Sequence, residues 1–144
     1  FENFKGLAIY LEDVKRQAEK NGYTKTFFGR RRYFEGIKSS IPFIKAAAER
    51  MAINAPIQGT QAEIIKNAMA RINNLKKKQK IEGSLIMQIH DEVIYEISNK
   101  DLENFEKNAR KIMQEVLSPQ DTRGVPIIAN VSVGDNWGKM KEMK

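Results

Sequence analysis

The chain has 144 residues, 41% hydrophobic and 30% charged, which is enough for one domain with a real core. It has no cysteine and no apolar run approaching the ~18–20 residues that span a bilayer; disulfides, thiolate zinc sites, cysteine nucleophiles and membrane insertion are therefore not expected, and a reducing compartment fits. The formal net charge of +7 is uneven: residues 1–80 hold 17 basic against 7 acidic side chains, and residues 81–144 hold 8 against 11. Along the chain, Phe1, Phe4, Leu7, Leu11, Val14 and Ala18 recur at helical spacing, so residues 2–20 read as an amphipathic helix that Asn21-Gly22 stops. Tyr23 to Tyr33, rich in aromatic, Thr and Arg residues around Gly29, predicts a short hairpin or an extended loop. Pro42 opens a second helix to about Ala52, and Asn54, Pro56 and Gly59 predict its interruption. Thr60-Gln61-Ala62-Glu63 has capping-box spacing, so a further helix is expected from about residue 61. Its apolar stripe is Ala62, Ile65, Met69, Ile72 and Leu75. Lys76, Lys77, Lys78 and Lys80 stand at its C-terminal end, where the helix dipole favours cations.

Two β-rich runs follow, Leu85 to Ile89 and Val93 to Ile97, separated by His90, Asp91 and Glu92; they predict a hairpin with a three-residue polar turn. Leu102, Phe105, Ala109, Ile112, Met113 and Val116 mark another helix, and Val125 to Val133 reads as a last strand. Helices, a hairpin, a helix and a strand in that order argue an α+β fold.

The charge asymmetry fits a polyanion-binding face in the basic half, beside something else such as a metal site, or simply a solvated basic surface. Asp91-Glu92, mounted between apolar strands, suits a hard divalent cation such as Mg²⁺, although one turn cannot supply a whole two-metal site; the alternative is a solvated polar turn. His90 is the only histidine, so it cannot build a zinc site; a proton donor, a phosphate contact or an ordinary turn residue remain open. Arg30, Arg31 and Arg32 beside Phe27, Phe28 and Tyr33 suit phosphate and base stacking, or form a charged loop. Arg50, Asn54, Gln58 and Thr60 surround the expected helix break. Asn and Gln amides there suit the minor-groove acceptors common to every base pair, while ordinary capping by Asn54 and Thr60 is the other option.

Four segments together resemble the family A (bacterial polymerase I-type) DNA polymerases. They are Gly22 to Tyr33 (GYTKTFFGRRRY), Ala46 to Thr60 (AAAERMAINAPIQGT), Leu85 to Glu96 (LIMQIHDEVIYE, similar to motif C of the palm) and Val131 to Trp137 (VSVGDNW). The resemblance implies residues 1–80 as a basic, fingers-derived helical part with the fingers–palm junction, and residues 81–144 as a C-terminal palm part. It implies template-directed DNA synthesis in replication or repair, a nucleotidyltransferase reaction in which two Mg²⁺ ions serve the transfer of a deoxynucleotide to a primer 3′ end. Asp91 would be the catalytic, metal-binding carboxylate and Glu92 its acidic neighbour. His90 would contact the primer strand, Arg50, Asn54 and Gln58 the primer-template, and Arg30, Arg31 and Arg32, more remotely, the template path. Partners would be primer-template DNA, deoxynucleoside triphosphates and the rest of a polymerase chain, with no membrane, in the cytoplasm at the nucleoid if bacterial. The family's upstream catalytic aspartate and its nucleotide-gripping helix have no counterpart in these residues, so a fragment that is inactive alone is expected. A nucleic-acid-binding module without catalysis is the alternative, and a metal-dependent nuclease a weaker third.

Overall fold

A computed structural model describes residues 4–143. The fold is α+β, with three α-helices and three two-stranded antiparallel sheets among the described residues. It divides into two compact units, residues 1–63 and 64–144. Among the described residues, no helix is long and apolar enough to cross a membrane.

The first unit opens with helix α1, Lys5–Asn21. The first residues of the helix expected over 2–20 lie outside the described part. Gly22 ends α1 in the left-handed region (φ 78°) and donates its N–H to the Ala18 carbonyl at 2.7 Å, a conformation that glycine adopts without a Cβ penalty. Strands β1, Tyr23–Lys25, and β2, Arg31–Tyr33, form a hairpin, the first of the two expected alternatives, with Tyr23 opposite Tyr33 and Lys25 opposite Arg31. A 3-10 turn at Glu35–Lys38 leads into helix α2, Pro42–Gln79. Ala18, Phe34, Ile37, Ala48, Ala52 and Ala55 form the core of this unit.

The interruption expected between Ala52 and residue 61 does not occur, because α2 runs through Pro56 unbroken. Proline has no N–H for the carbonyl four residues back, which weakens the helix locally. Packing outweighs that loss: Ala48, Ala52 and Ala55 are buried before the proline, and Ile65, Ala68 and Ile72 after it. The capping box does not form either. The Thr60 hydroxyl donates back to the Pro56 carbonyl at 2.6 Å, as a mid-helix threonine does, and Glu63 turns to Arg30. Ala62 of the expected apolar stripe is exposed, and Ala68 is buried in its place.

The second unit takes the end of α2, then strands β3, Gly83–Ile89, and β4, Glu92–Ile97. Helix α3, Leu102–Gln114, lays Phe105 and Ala109 on Ile72 and Ile81, with Tyr95, Ile97, Ile112 and Met113 against them. Arg71 ties α2 to the end of this stretch by donating to the Glu115 carbonyl at 2.9 Å. The last strand is shorter than Val125 to Val133: only β5, Val131–Val133, is extended and paired, and its partner is β6, Lys141–Met143, which the sequence pattern did not reveal. Pro126 has no N–H for a ladder, and Val125 and Ile128 are 68% and 74% exposed, so nothing holds residues 125–130 in a sheet.

Candidate nucleic-acid interface and carboxylate turn

The β3–β4 hairpin is tighter than its sequence implied. Ile89 pairs with Glu92, so the turn is two residues, His90-Asp91, and Glu92 is the first residue of β4. Two-residue hairpin turns need positive φ, and here His90 supplies it at 49°, a region that His, Asn and Asp enter more readily than other non-glycine residues. The turn is braced from within β3: the Gln88 amide donates to the His90 carbonyl at 2.7 Å. Gln88 was not singled out in the sequence; the signal was an amide interrupting an otherwise apolar run. A bulge between Leu85 and Met87 places one extra residue, Ile86, in β3, which increases local twist. At the tip, His90, Asp91 and Glu92 are all exposed and adjacent.

Beneath the hairpin, Tyr95 packs on Phe105 with ring centroids 5.1 Å apart. Burial raises the pKa of its phenol, and the Lys76 ammonium lies 5.9 Å from its ring while bonding the Gly83 carbonyl. One lysine of the 76–80 cluster is therefore a brace between α2 and β3 rather than a free charge.

In the first unit, the continuity of α2 puts Arg50, Asn54 and Gln58 at four-residue intervals on one exposed face. The alanines 48, 52 and 55 lie buried on the other side. Asn54 is not a cap, since the helix does not end there. The expected polar series is thus brought together, except Thr60, which is occupied by Pro56 and by the Phe27 N–H at 2.9 Å.

The three arginines of the first hairpin do not act as one cluster. Arg30 donates from Nε to Glu63 at 3.0 Å. The Arg31 guanidinium lies 4.8 Å from the Tyr23 ring, and that of Arg32 lies 5.7 Å from the Phe34 ring. Glu63 is thus an ion-pair partner rather than a capping residue, and Lys25 joins the cationic face, which no local signal in the sequence marks.

Comparison with known proteins adds an independent finding. The sequence profile described as DNA polymerase family A matches residues 1–139. DNA polymerase I of Mycobacterium leprae is 42% identical over 138 residues, 96% of this chain and 15% of that protein. DNA polymerase I of Bacillus caldotenax is 36% identical over 137 residues, 95% of this chain and 15% of that protein. Among solved structures, the POL domain of Pol1 from M. smegmatis, in complex with DNA primer-template and dNTP, superposes with a TM-score of 0.81 at 41% identity, over 88% of this chain and 22% of that one. The chain therefore spans about 15% of the length of the curated relatives it matches.

Proposed function

Because the chain belongs to DNA polymerase family A, we propose that it serves template-directed DNA synthesis, as part of an enzyme that adds deoxynucleotides to a primer 3′ end. The observation that carries this reading is the two-residue turn that sets Asp91 beside Glu92 at the exposed tip of an antiparallel hairpin. Asp91 is the catalytic, metal-binding carboxylate, Glu92 its acidic neighbour near the primer end, and His90 a primer-strand contact. Arg50, Asn54 and Gln58 form one exposed helix face suited to the minor groove, where amide donors meet acceptors on every base pair. The basic hairpin at Arg30, Arg31 and Arg32 lies toward the template. The functional division into residues 1–80, fingers-derived, and 81–144, palm, follows the resemblance and the end of α2 at Gln79, whereas the compact units divide earlier, after Glu63. Primer-template DNA and deoxynucleoside triphosphates are the partners, which the M. smegmatis POL domain complex supports, along with the rest of a polymerase chain. The bacterial relatives support a cytoplasmic, nucleoid location.

The metal requirement follows from donor chemistry. Asp91 and Glu92 offer the hard oxygens that Mg²⁺ prefers. Among the described residues, no group of three or more His, Cys, Asp or Glu side chains could hold a metal ion. The donors present thus fit Mg²⁺ in kind, and further ligands must complete the site. When bound, a pair of such ions stabilises the charge on the attacking and leaving oxygens of phosphoryl transfer. This chain's residues hold Asp91 rigidly, through the Gln88 brace and the strand register, and present cations and amides to the nucleic acid. The 144 residues alone are accordingly inactive in primer extension.

The test is Asp91→Asn in the polymerase that carries this segment. Primer extension should fall by at least about 10²–10³-fold, as when a transition-state charge partner is lost, with primer-template affinity unchanged or tighter. Undiminished synthesis would remove Asp91 from the metal site and favour a binding module.

A further inference from the structure

We propose that Arg30 is a positioning residue for the β1–β2 hairpin, and that Lys25 and Arg31, on the hairpin's outer face, hold the phosphates of the nucleic acid. The proposal rests on the nucleic-acid reading above and divides an arginine run that the sequence presents as uniform.

Arg30 is committed elsewhere. Its Nε donates to Glu63 Oε1 at 3.0 Å, and the Glu63 side chain is only 11% exposed. The other carboxylate oxygen of Glu63 is buried and has no partner among the described residues. A carboxylate so far from water, bonded through one oxygen alone, is stranded if its cation swings out toward a phosphate. Two neighbouring contacts secure the same seam. The Phe27 N–H donates to the Thr60 hydroxyl at 2.9 Å, and Thr26 packs so closely on Gly59 that a Cβ there would lie 2.5 Å from the Thr26 methyl. Arg30, Phe27 and Thr26 thus fix the hairpin tip on little more than one turn of α2, at Gly59, Thr60 and Glu63.

Arg31, one residue later, has the opposite environment. It sits across the ladder from Lys25, and both cations lie over Tyr23, at 4.8 and 5.8 Å from its ring. Tyr33, 66% exposed, extends the face with its ring 5.3 Å from that of Tyr23. Among the described residues, no carboxylate forms an ion pair with Lys25 or Arg31. Two uncompensated cations pre-oriented on aromatic rings are complementary to a phosphodiester backbone, and orientation before binding lowers the entropy lost in the complex.

The experiment is anisotropy titration of a fluorescein-labelled primer-template duplex with the 144-residue chain across a series of KCl concentrations. Each phosphate contact contributes about 0.9 to the slope of log affinity against log salt. Arg31→Gln and Lys25→Gln should each flatten that slope by about one. Arg30→Gln and Glu63→Gln should weaken binding with the slope unchanged, the double variant should be no weaker than Arg30→Gln, and amide exchange at Phe27 should accelerate in both single variants. Thr60→Val, which keeps every charge, should behave like Arg30→Gln. A slope flattened by Arg30→Gln as much as by Arg31→Gln overturns the proposal; so does an unchanged slope in Arg31→Gln, which decides the matter even if Arg30→Gln does not fold. Absence of salt-dependent binding by the unaltered chain sinks the nucleic-acid reading itself, a result distinct from either.

Discussion

The two hairpins solve the same problem by different means. The β1–β2 hairpin has strands of three residues each, too short to stand alone, and side-chain bonds from its loop to α2 hold it in place. The β3–β4 hairpin is longer, with six paired positions, and its turn is defined by backbone register and by a bond within the hairpin. Its outer edges are unpaired among the described residues, and Leu85, Ile86 and Met87 are exposed on it. The hairpin that carries cations is thus fixed by contacts made outside itself, whereas the hairpin that carries the carboxylates depends on its ladder and on half-buried Tyr95 packed against buried Phe105. Mutations should hurt the first through its clamps and the second through its support.

The largest effect is expected at that support. Phe105 is buried beside Ile72 and Ile81 and carries Tyr95 on its ring. Phe105→Ala should cost about 3–5 kcal/mol, measured by urea unfolding, because it removes a large side chain and leaves a cavity. Amide exchange in β4 should accelerate around Tyr95 and Ile97. A loss under 1 kcal/mol would mean that the ladder alone sustains the hairpin. Next comes the clamp of the first hairpin. Gly59→Ala puts a methyl against the Thr26 side chain, which cannot rotate freely because its hydroxyl accepts the Arg30 N–H at 3.1 Å. A cost of about 1–3 kcal/mol is expected from overpacking. Thr26→Ser in the same chain removes the offending methyl and should recover most of it; failure to recover would place the strain in the helix backbone instead.

This contrast also explains which parts were legible in the sequence. Local signals located both hairpins, the first helix and α3, because periodicity and turn residues act within a few positions. The continuity of α2 was not legible. Pro56, Gly59 and Thr60 carry every local mark of a break, and what overrides them is burial of alanines and isoleucines against segments distant in sequence. The true partner of Glu63 is illegible locally for the same reason, since Arg30 lies 33 residues away. The carboxylate turn was found by composition, and its two-residue length was missed because His90 in a left-handed conformation is not announced by the usual Asn-Gly pair. The roles of Asp91, Glu92 and the polar face of α2 came from resemblance: adjacent exposed carboxylates have no local feature that separates a metal ligand from a solvated turn.

The turn itself offers a finer test of the second hairpin. His90 occupies φ 49°, which excludes β-branched side chains in practice. His90→Val should destabilise by about 1–2 kcal/mol, the cost of the left-handed region for such a residue. His90→Gly should stay within about 1 kcal/mol of the unaltered chain, since relief of strain is offset by a more flexible unfolded state. Equal effects of the two would show that the imidazole, and not the backbone, sets the turn.

The smallest effect concerns a turn of a third kind, held by a carboxylate rather than by a clamp or a ladder. Asp121 accepts from the Ser118 hydroxyl at 2.7 Å and from the Ser118 N–H at 3.1 Å. These bonds, the hydroxyl first, lower its pKa below the ordinary 3.8. A depressed carboxylate stabilises the fold above its unfolded pKa, and that contribution disappears as pH falls through the folded value. Ser118→Ala removes the stronger bond, so its destabilisation should be present at pH 6 and should fade below about pH 4, where the unfolded carboxylate takes up its proton. Thermal melts of the two chains across this range should converge at the acid end. A gap that stays constant as the pH is taken progressively lower would assign the turn's stability to the hydroxyl's other contacts and leave the carboxylate without a part in it.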